Sequence, residues 1–195
     1  MKRNNYVAIM AGGIGSRFWP MSRTGFPKQF LDILNHGRTL IQSTYDRFAQ
    51  FIPKENIYVV TAQQYYDIVS KQLPDLNPEN ILCEPSRKNT APCVAYIAYK
   101  LQELDPKSNL ICAPADHIIL EETSFIKVSL EALAFTEKHN ALLTMGIKPT
   151  HPNTGYGYIK YEEHSESETK YKVKTFTEKP DLKSEKNFMK TGDFT

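Results

Sequence analysis

Three glycines, an arginine and a lysine near the start of the chain have the spacing of a polyanion cradle. Residues 6–10 are short and apolar, and they open directly into Ala11-Gly12-Gly13-Ile14-Gly15-Ser16-Arg17. Gly12, Gly13 and Gly15 remove side chains where backbone N–H groups would approach an anion, and they permit positive φ. Arg17, and Lys28 eleven residues later, add fixed positive charge. This pattern predicts a triphosphate-binding loop at the carboxyl end of a first buried strand. Glycines after a strand can also be turns alone, but the two cations favour the functional reading.

Two familiar phosphate loops do not fit. A dinucleotide loop built on Gly13 and Gly15 would need its third glycine where Phe18 stands, and Trp19-Pro20 interrupts the helix that should follow. The P-loop requires Gly-Lys-Ser/Thr after four spacers, which is absent.

Other residues with chemistry cluster after later apolar runs. Asp116, in Pro114-Ala-Asp-His117, follows residues 109–113. A carboxylate beside a phosphate loop suits Mg²⁺, which takes one or two carboxylates plus phosphate oxygens; the alternative is that Asp116 caps the next turn. His117 is expected to orient that loop. Glu84, after residues 81–83, can accept hydrogen bonds from a guanine N1–H and amino group. Asn89 and Thr90 have good N-cap chemistry and could serve only that purpose. Gly155 and Gly157 could be turn glycines. Glu178 and Lys179, adjacent in a strand-like run, would point to opposite faces unless Pro180 bends the chain.

The elements that must position these residues alternate. Apolar runs at 6–10, 57–61, 81–83, 109–113 and 141–146 predict five strands. Helical spacing predicts helices at 39–51, 62–73, 89–104 and 124–139. Such alternation implies a mostly parallel sheet with helices on both faces, and parallel strands buried on both sides explain the continuously apolar runs. After residue 147 the rhythm changes. Residues 159–161 and 171–177 read as an antiparallel pair with a solvated hairpin between them, and 184–191 as a short helix. With no linker or repeat, residues 1–195 read as one domain.

Bulk properties narrow the function. The 195 residues carry 24 basic and 22 acidic side chains, a net charge of +2. That balance gives no argument for nucleic-acid binding. Cys83, Cys93 and Cys112 have neither disulfide nor zinc spacing and sit in apolar contexts, so buried thiols are expected. No leader-like or membrane-length apolar run occurs, which implies a cytoplasmic protein without a membrane partner.

Several segments together resemble a known family. Residues 11–23 with Pro27-Lys28-Gln29-Phe30 resemble the signature of sugar-phosphate nucleotidyltransferases. The mannose-1-phosphate guanylyltransferase branch is matched by Glu84-Pro-x-x-x-Asn-Thr-Ala-Pro92, Pro114-Ala-Asp-His117, Gly146-Ile-Lys-Pro-Thr150, Thr154-Gly-Tyr-Gly-Tyr-Ile159 and Phe176-Thr-Glu-Lys-Pro180. The resemblance spans essentially the whole chain.

It implies a Rossmann-like, three-layer nucleotide-diphospho-sugar transferase fold that makes GDP-mannose from GTP and mannose 1-phosphate, with Mg²⁺ as cofactor. Ala11, Gly12, Gly13, Gly15, Ser16 and Arg17 would hold the nucleotide, with Glu84, Asn89 and Thr90 near guanine and ribose. Arg17, Lys28 and Asp116 would be catalytic, with Asp116 holding the metal. Gly155, Tyr156, Glu178 and Lys179 would receive the sugar phosphate. Another hexose 1-phosphate, or a non-catalytic GTP-binding module, are the competing readings. Family members continue through a Trp-Asn-Ser-Gly-type strand and a second metal-binding aspartate. The chain is therefore expected to be the nucleotide-binding part of such an enzyme, truncated on its C-terminal side. GTP binding, weak or absent synthesis, an unpaired edge beyond residue 155 and some self-association are expected of it.

Overall fold

A computed structural model gives the architecture, and it describes residues 4–13, 15, 18–86, 88–162, 170–182, 184, 188, 191, 192, 194 and 195. The chain divides into two compact units, Met1–Ala141 and Leu142–Thr195.

The first unit is an α/β layer structure. Its strands are β1 (Asn5–Met10), β2 (Ile57–Ala62), β3 (Ile81–Glu84) and β4 (Asn109–Pro114), and its helices are α1 (Leu40–Ala49), α2 (Tyr66–Gln72), α3 (Thr90–Leu104) and α4 (Glu122–Thr136). All strand pairs are parallel, in the order β3-β2-β1-β4. The continuous apolar runs take the central places: every residue of β2 is buried, as are Tyr6, Val7, Ala8 and Ile9 of β1.

Alternation along β1 divides the core between the two faces. Val7 and Ile9 pack in one cluster with Ile41 and Phe48 of α1, Val69 of α2 and Leu133 of α4. Tyr6 and Ala8 pack in the other with Cys93, Ile97 and Leu101, one turn apart on α3. The chain moves outward from β1 to β2 to β3 and then returns across the sheet to β4. With crossovers of one hand, that reversal sends α3 to the opposite face. It also leaves a switch point between β1 and β4, where an open α/β sheet forms a crevice outside the carboxyl ends of its strands.

Local chemistry sets the element ends. The backbone N–H of Thr39 donates to Gln42 Oε1 (2.9 Å) at the start of α1. Asn80 Nδ2 donates to the carbonyls of Glu55 and Ile57, both at 2.9 Å, fastening the amino ends of β2 and β3.

In the second unit β5 (Tyr158–Tyr161) and β6 (Val173–Thr177) pair antiparallel, as the sequence predicts. The N–H of Glu162 donates to Lys172 O (3.0 Å), and residues 163–169 of the expected hairpin lie outside the described residues. Most of the predicted helix at 184–191 also lies outside them. The unpaired edge expected beyond residue 155 is corrected in part. Ile159 N donates to Thr195 O (2.8 Å) and Thr195 N to Ile159 O (3.0 Å). Phe194 is held by stacking on Phe188, with ring centroids 4.0 Å apart, and by the Lys160 ammonium over its ring.

One predicted strand does not form. Residues 141–146 carry no regular structure, with Leu142 fully exposed and Leu143 and Met145 also exposed. Their composition suits a strand, but a strand exists only with a neighbour to complete its ladder, and none engages this segment among the described residues.

Candidate active site

The glycine loop is built onto the end of β1. Ala11 continues the ladder, its N–H donating to Val60 O (2.8 Å), and its carbonyl accepts from Thr61 Oγ1 (3.0 Å) and Gln29 Nε2 (2.9 Å). Gln29 Nε2 also donates to Gly13 O (2.9 Å). The Gly15 carbonyl accepts from the hydroxyl of Ser22 and from Phe18 N–H (3.1 Å). The N–H groups of Gly12, Gly13 and Gly15 have no hydrogen-bond partner among the described residues.

One of the glycines is sterically required, and a second is closely approached. Gly15 has φ +64°, and a Cβ there would lie 2.7 Å from the backbone nitrogen of Lys28. A Cβ on Gly12 would meet Glu84 Oε2 at 3.0 Å, so Glu84, at the end of β3, stands against the loop. Around Gly13 the space is open. Ser16 and Arg17 lie outside the described residues.

Lys28 opens a single 3₁₀ turn, Lys28–Phe30, and reaches across the switch point to form an ion pair with the carboxylate of Asp116. The two side chains are 30% and 21% exposed, so the pair is accessible from solvent but not freely solvated. The ammonium also lies 5.5 Å from the centroid of the Phe18 ring. Asp116 is placed by its neighbour: Ala115 N–H donates to Met10 O (3.0 Å), and Ala115 O accepts from Thr44 Oγ1 (3.2 Å). His117 is exposed. The structure thus brings Gly12, Gly13, Gly15, Lys28, Glu84 and Asp116 to the carboxyl ends of β1, β3 and β4.

Asn89 occupies the position before α3 but does not cap it. Its side chain makes no capping hydrogen bond, and its φ is +68°. A non-glycine residue in that region costs on the order of 1–3 kcal/mol and collects at ligand sites. Thr90, the first residue of α3, is exposed beside it.

Burial sets the character of the thiols. Cys93 is buried, and its pKa is pushed up to about 12 by burial first and then by the Glu84 carboxylate. Burial alone raises Cys112 to about 11. Cys83 and Cys112 are half-buried, less enclosed than the sequence suggests.

The remaining candidates gather in the second unit. Asn153 closes a turn over Gly155 and Tyr156: its Oδ1 accepts from Gly155 N–H (2.9 Å) and its carbonyl from Tyr156 N–H (3.2 Å). A Cβ on Gly157 would meet Phe176 Cζ at 2.5 Å and Glu178 Oε2 at 3.3 Å, so the glycine turn packs against the end of β6. Of the two alternatives left open at Pro180, the bend is the one present, since Lys179 has φ +41°. Instead of pointing apart, Lys179 Nζ and Glu178 Oε1 form an ion pair at 2.6 Å.

Sequence reasoning assigned no role to Gln29 or Ser22, although both lie in quoted motifs. The only cue in the sequence is an uncharged polar residue between Lys28 and Phe30.

A glycine loop facing a carboxylate and a lysine at the switch point of a parallel sheet places the chain in the Rossmann-like α/β class. The family model described as Nucleotidyl transferase matches residues 6–195, and the chain belongs to that family. It is 38% identical over 196 residues to a mannose-1-phosphate guanylyltransferase of Escherichia coli (strain K12), covering 97% of this chain and 40% of the relative. It is 35% identical over 188 residues to the xanthan biosynthesis protein XanB of Xanthomonas campestris, covering 95% of this chain and 39% of that one. The chain therefore spans about two fifths of the length of these relatives. Among solved structures, one described as a mannose-1-phosphate geranyltransferase from Thermus thermophilus superposes with TM-score 0.83 at 27% identity, over 98% of this chain and 54% of that chain. A mannose-6-phosphate isomerase from Helicobacter pylori gives 0.76 at 25% identity, over 98% and 66%. Among the described residues no helix is long and apolar enough to cross a membrane.

Proposed function

We propose that this chain binds GTP at the β1–β4 switch point and serves the transfer of GMP to α-D-mannose 1-phosphate, giving GDP-mannose and pyrophosphate. The observation that carries this reading is the meeting of Lys28, Asp116 and the glycine loop at the crevice. The names of the similar proteins supply the guanine and the mannose.

In this reading the N–H groups of Gly12, Gly13 and Gly15 receive phosphate oxygens. The phosphate oxygen of mannose 1-phosphate attacks the α-phosphorus in line. The bond from that phosphorus to the α,β-bridging oxygen breaks, and pyrophosphate carries the electron pair away. The nucleophile is already ionised, so no general base is needed and catalysis is positioning plus charge neutralisation. Lys28 exchanges its partner Asp116 for the departing pyrophosphate, where negative charge grows. Glu84 accepts from the guanine edge, with Asn89 and Thr90 beside the ribose. Glu178 holds sugar hydroxyls beside Gly155 and Tyr156, and Lys179 holds the sugar's phosphate.

The donor set suits Mg²⁺. No group of three or more His, Cys, Asp or Glu occurs among the described residues, so the site is no all-protein cage. One accessible carboxylate, Asp116, paired with Lys28 beside a phosphate cradle is the arrangement of an ion held mainly by its nucleotide. When bound there, the ion neutralises phosphate charge.

Calorimetric titration tests the binding half: GTP with Mg²⁺ should bind and NAD should not. Pyrophosphate release across a panel of nucleoside triphosphates and hexose 1-phosphates tests the rest. GTP with mannose 1-phosphate should be the best pair, and Asp116→Asn should abolish Mg²⁺-dependent turnover. A preference for another pair would overturn the assignment.

A further inference from the structure

We infer that Gln29 is a positioning residue for the nucleotide, holding the glycine loop with its carbonyls turned into the protein and its N–H groups turned out to the phosphates. The inference rests on the nucleotide-binding reading above and adds a residue to it.

Gln29 is 3% exposed and stands between Lys28 and the fully buried Phe30. A buried amide is unfavourable unless its polar atoms are matched. Here both N–H bonds of one Nε2 go to two carbonyls of one loop, Ala11 O and Gly13 O, each at 2.9 Å. Ser22 engages the next alternate carbonyl, that of Gly15. The carbonyls of residues 11, 13 and 15 are thus all occupied, while the N–H groups of Gly12, Gly13 and Gly15 have no partner among the described residues. That is the polarity an anion requires. A carbonyl released from Gln29 could rotate its oxygen toward the triphosphate, placing like partial charges together.

The same 3₁₀ turn that carries Gln29 also carries Lys28. Gly15 packs so closely on that turn that a Cβ would lie 2.7 Å from Lys28 N, and Lys28 Nζ pairs with Asp116. Gln29 therefore sets the loop's N–H groups at a fixed place relative to the lysine, so its loss should disturb nucleotide binding and turnover together.

The molecule contains its own control. Asn80 is a buried amide of the same kind, with Nδ2 bridging the carbonyls of Glu55 and Ile57 at 2.9 Å each, but at the opposite, amino ends of the strands. The test compares Gln29→Glu, Gln29→Met and Asn80→Asp with the unaltered protein. Thermal unfolding, calorimetric Kd for a panel of nucleoside triphosphates, and kcat with KM for both substrates are read for each. Gln29→Glu keeps the shape but sets a carboxylate against two carbonyl oxygens, and Gln29→Met removes the donors without adding charge.

Both Gln29 variants should raise the nucleoside triphosphate Kd by about tenfold or more, the scale of a net hydrogen bond to a charged group. They should also lower kcat and leave KM for the sugar phosphate within about twofold. Asn80→Asp should lower the unfolding temperature while leaving nucleotide Kd within about twofold. Gln29 variants that lose stability as Asn80→Asp does, yet bind nucleotide like the unaltered protein, would overturn the inference; Gln29→Met decides the matter if Gln29→Glu does not fold. A protein that prefers another triphosphate, yet still loses its affinity with Gln29, would sustain this inference and overturn the guanine assignment.

Discussion

In the Met1–Ala141 unit β2 is buried at every position, whereas in the Leu142–Thr195 unit four of the five residues of β6 are exposed. The two sets of candidate site residues follow the same division. Gly12, Gly13, Gly15, Lys28 and Asp116 are mounted on a packed parallel sheet, and their backbone is pinned by the buried side chains of Gln29, Thr61 and Ser22. Gly155, Tyr156, Glu178 and Lys179 are held by a local turn and by an ion pair whose partners are more than half exposed. A core can fix a phosphate cradle in advance of its ligand. Exposed side chains on a two-stranded ribbon rely on the ligand itself for part of their order.

The largest effect should come from cutting into the packed side. Phe48 is 1% exposed and touches the rings of Phe51 and Phe125, with centroids 5.7 Å away in each case. Phe48→Ala should cost about 4 kcal/mol in denaturant unfolding, the range for emptying a buried aromatic site. Phe176→Ala, on exposed β6, should cost no more than about 1 kcal/mol. Equal losses would erase the contrast between the units.

Next in size is Lys28→Gln, which in a full-length version should lower kcat by roughly a hundredfold, about 3 kcal/mol. A rise in KM for GTP at constant kcat would instead make Lys28 a uniform binding group. Glu178→Gln sharpens the comparison from the exposed side. It should raise KM for mannose 1-phosphate by about tenfold, the scale of one hydrogen bond to a charged group, and leave KM for GTP unchanged. A matching change in both KM values would show that the two sets are not separable.

The smallest change expected is at Tyr45, whose hydroxyl is buried without a hydrogen-bond partner among the described residues and whose pKa is raised by that burial. Removing an unmatched polar atom relieves a desolvation cost, so Tyr45→Phe should be neutral or stabilising by up to about 1 kcal/mol in thermal unfolding. A clear loss would mean that the hydroxyl has a partner in solution.

The legible features were those with a local cause. The runs that became β1 and β2 were readable because strands buried on both faces cannot alternate with polar residues, and the half-buried outer strands β3 and β4 were readable from short apolar runs of the same kind. The bend at Lys179 was readable from Pro180. Residues 141–146 were misread because a strand depends on a neighbour that composition does not name. Asn89 has the composition of a cap, yet at φ +68° its side chain caps nothing, and only the backbone angles reveal that. Gln29 was illegible for a related reason. A glutamine's meaning lies in the atoms it reaches, here carbonyls 16 and 18 residues away.

The placement of β1 bears on how the protein is made. Of these four strands the first to be synthesised is an inner strand of the sheet, between β2 and β4. Its pairing of Asn5 with Asn109 closes a separation of 109 − 5 = 104 residues. Until β4 has been synthesised, β1 has an open edge along one side. At about 5–20 residues per second, that interval lasts from roughly 5 to 20 seconds. Non-local pairing of this kind folds slowly and leaves strand edges open to other chains. Overproduction should therefore favour aggregates of nascent or partly folded chains, and slower translation or holding by a chaperone should raise the soluble yield without any change to the mature fold.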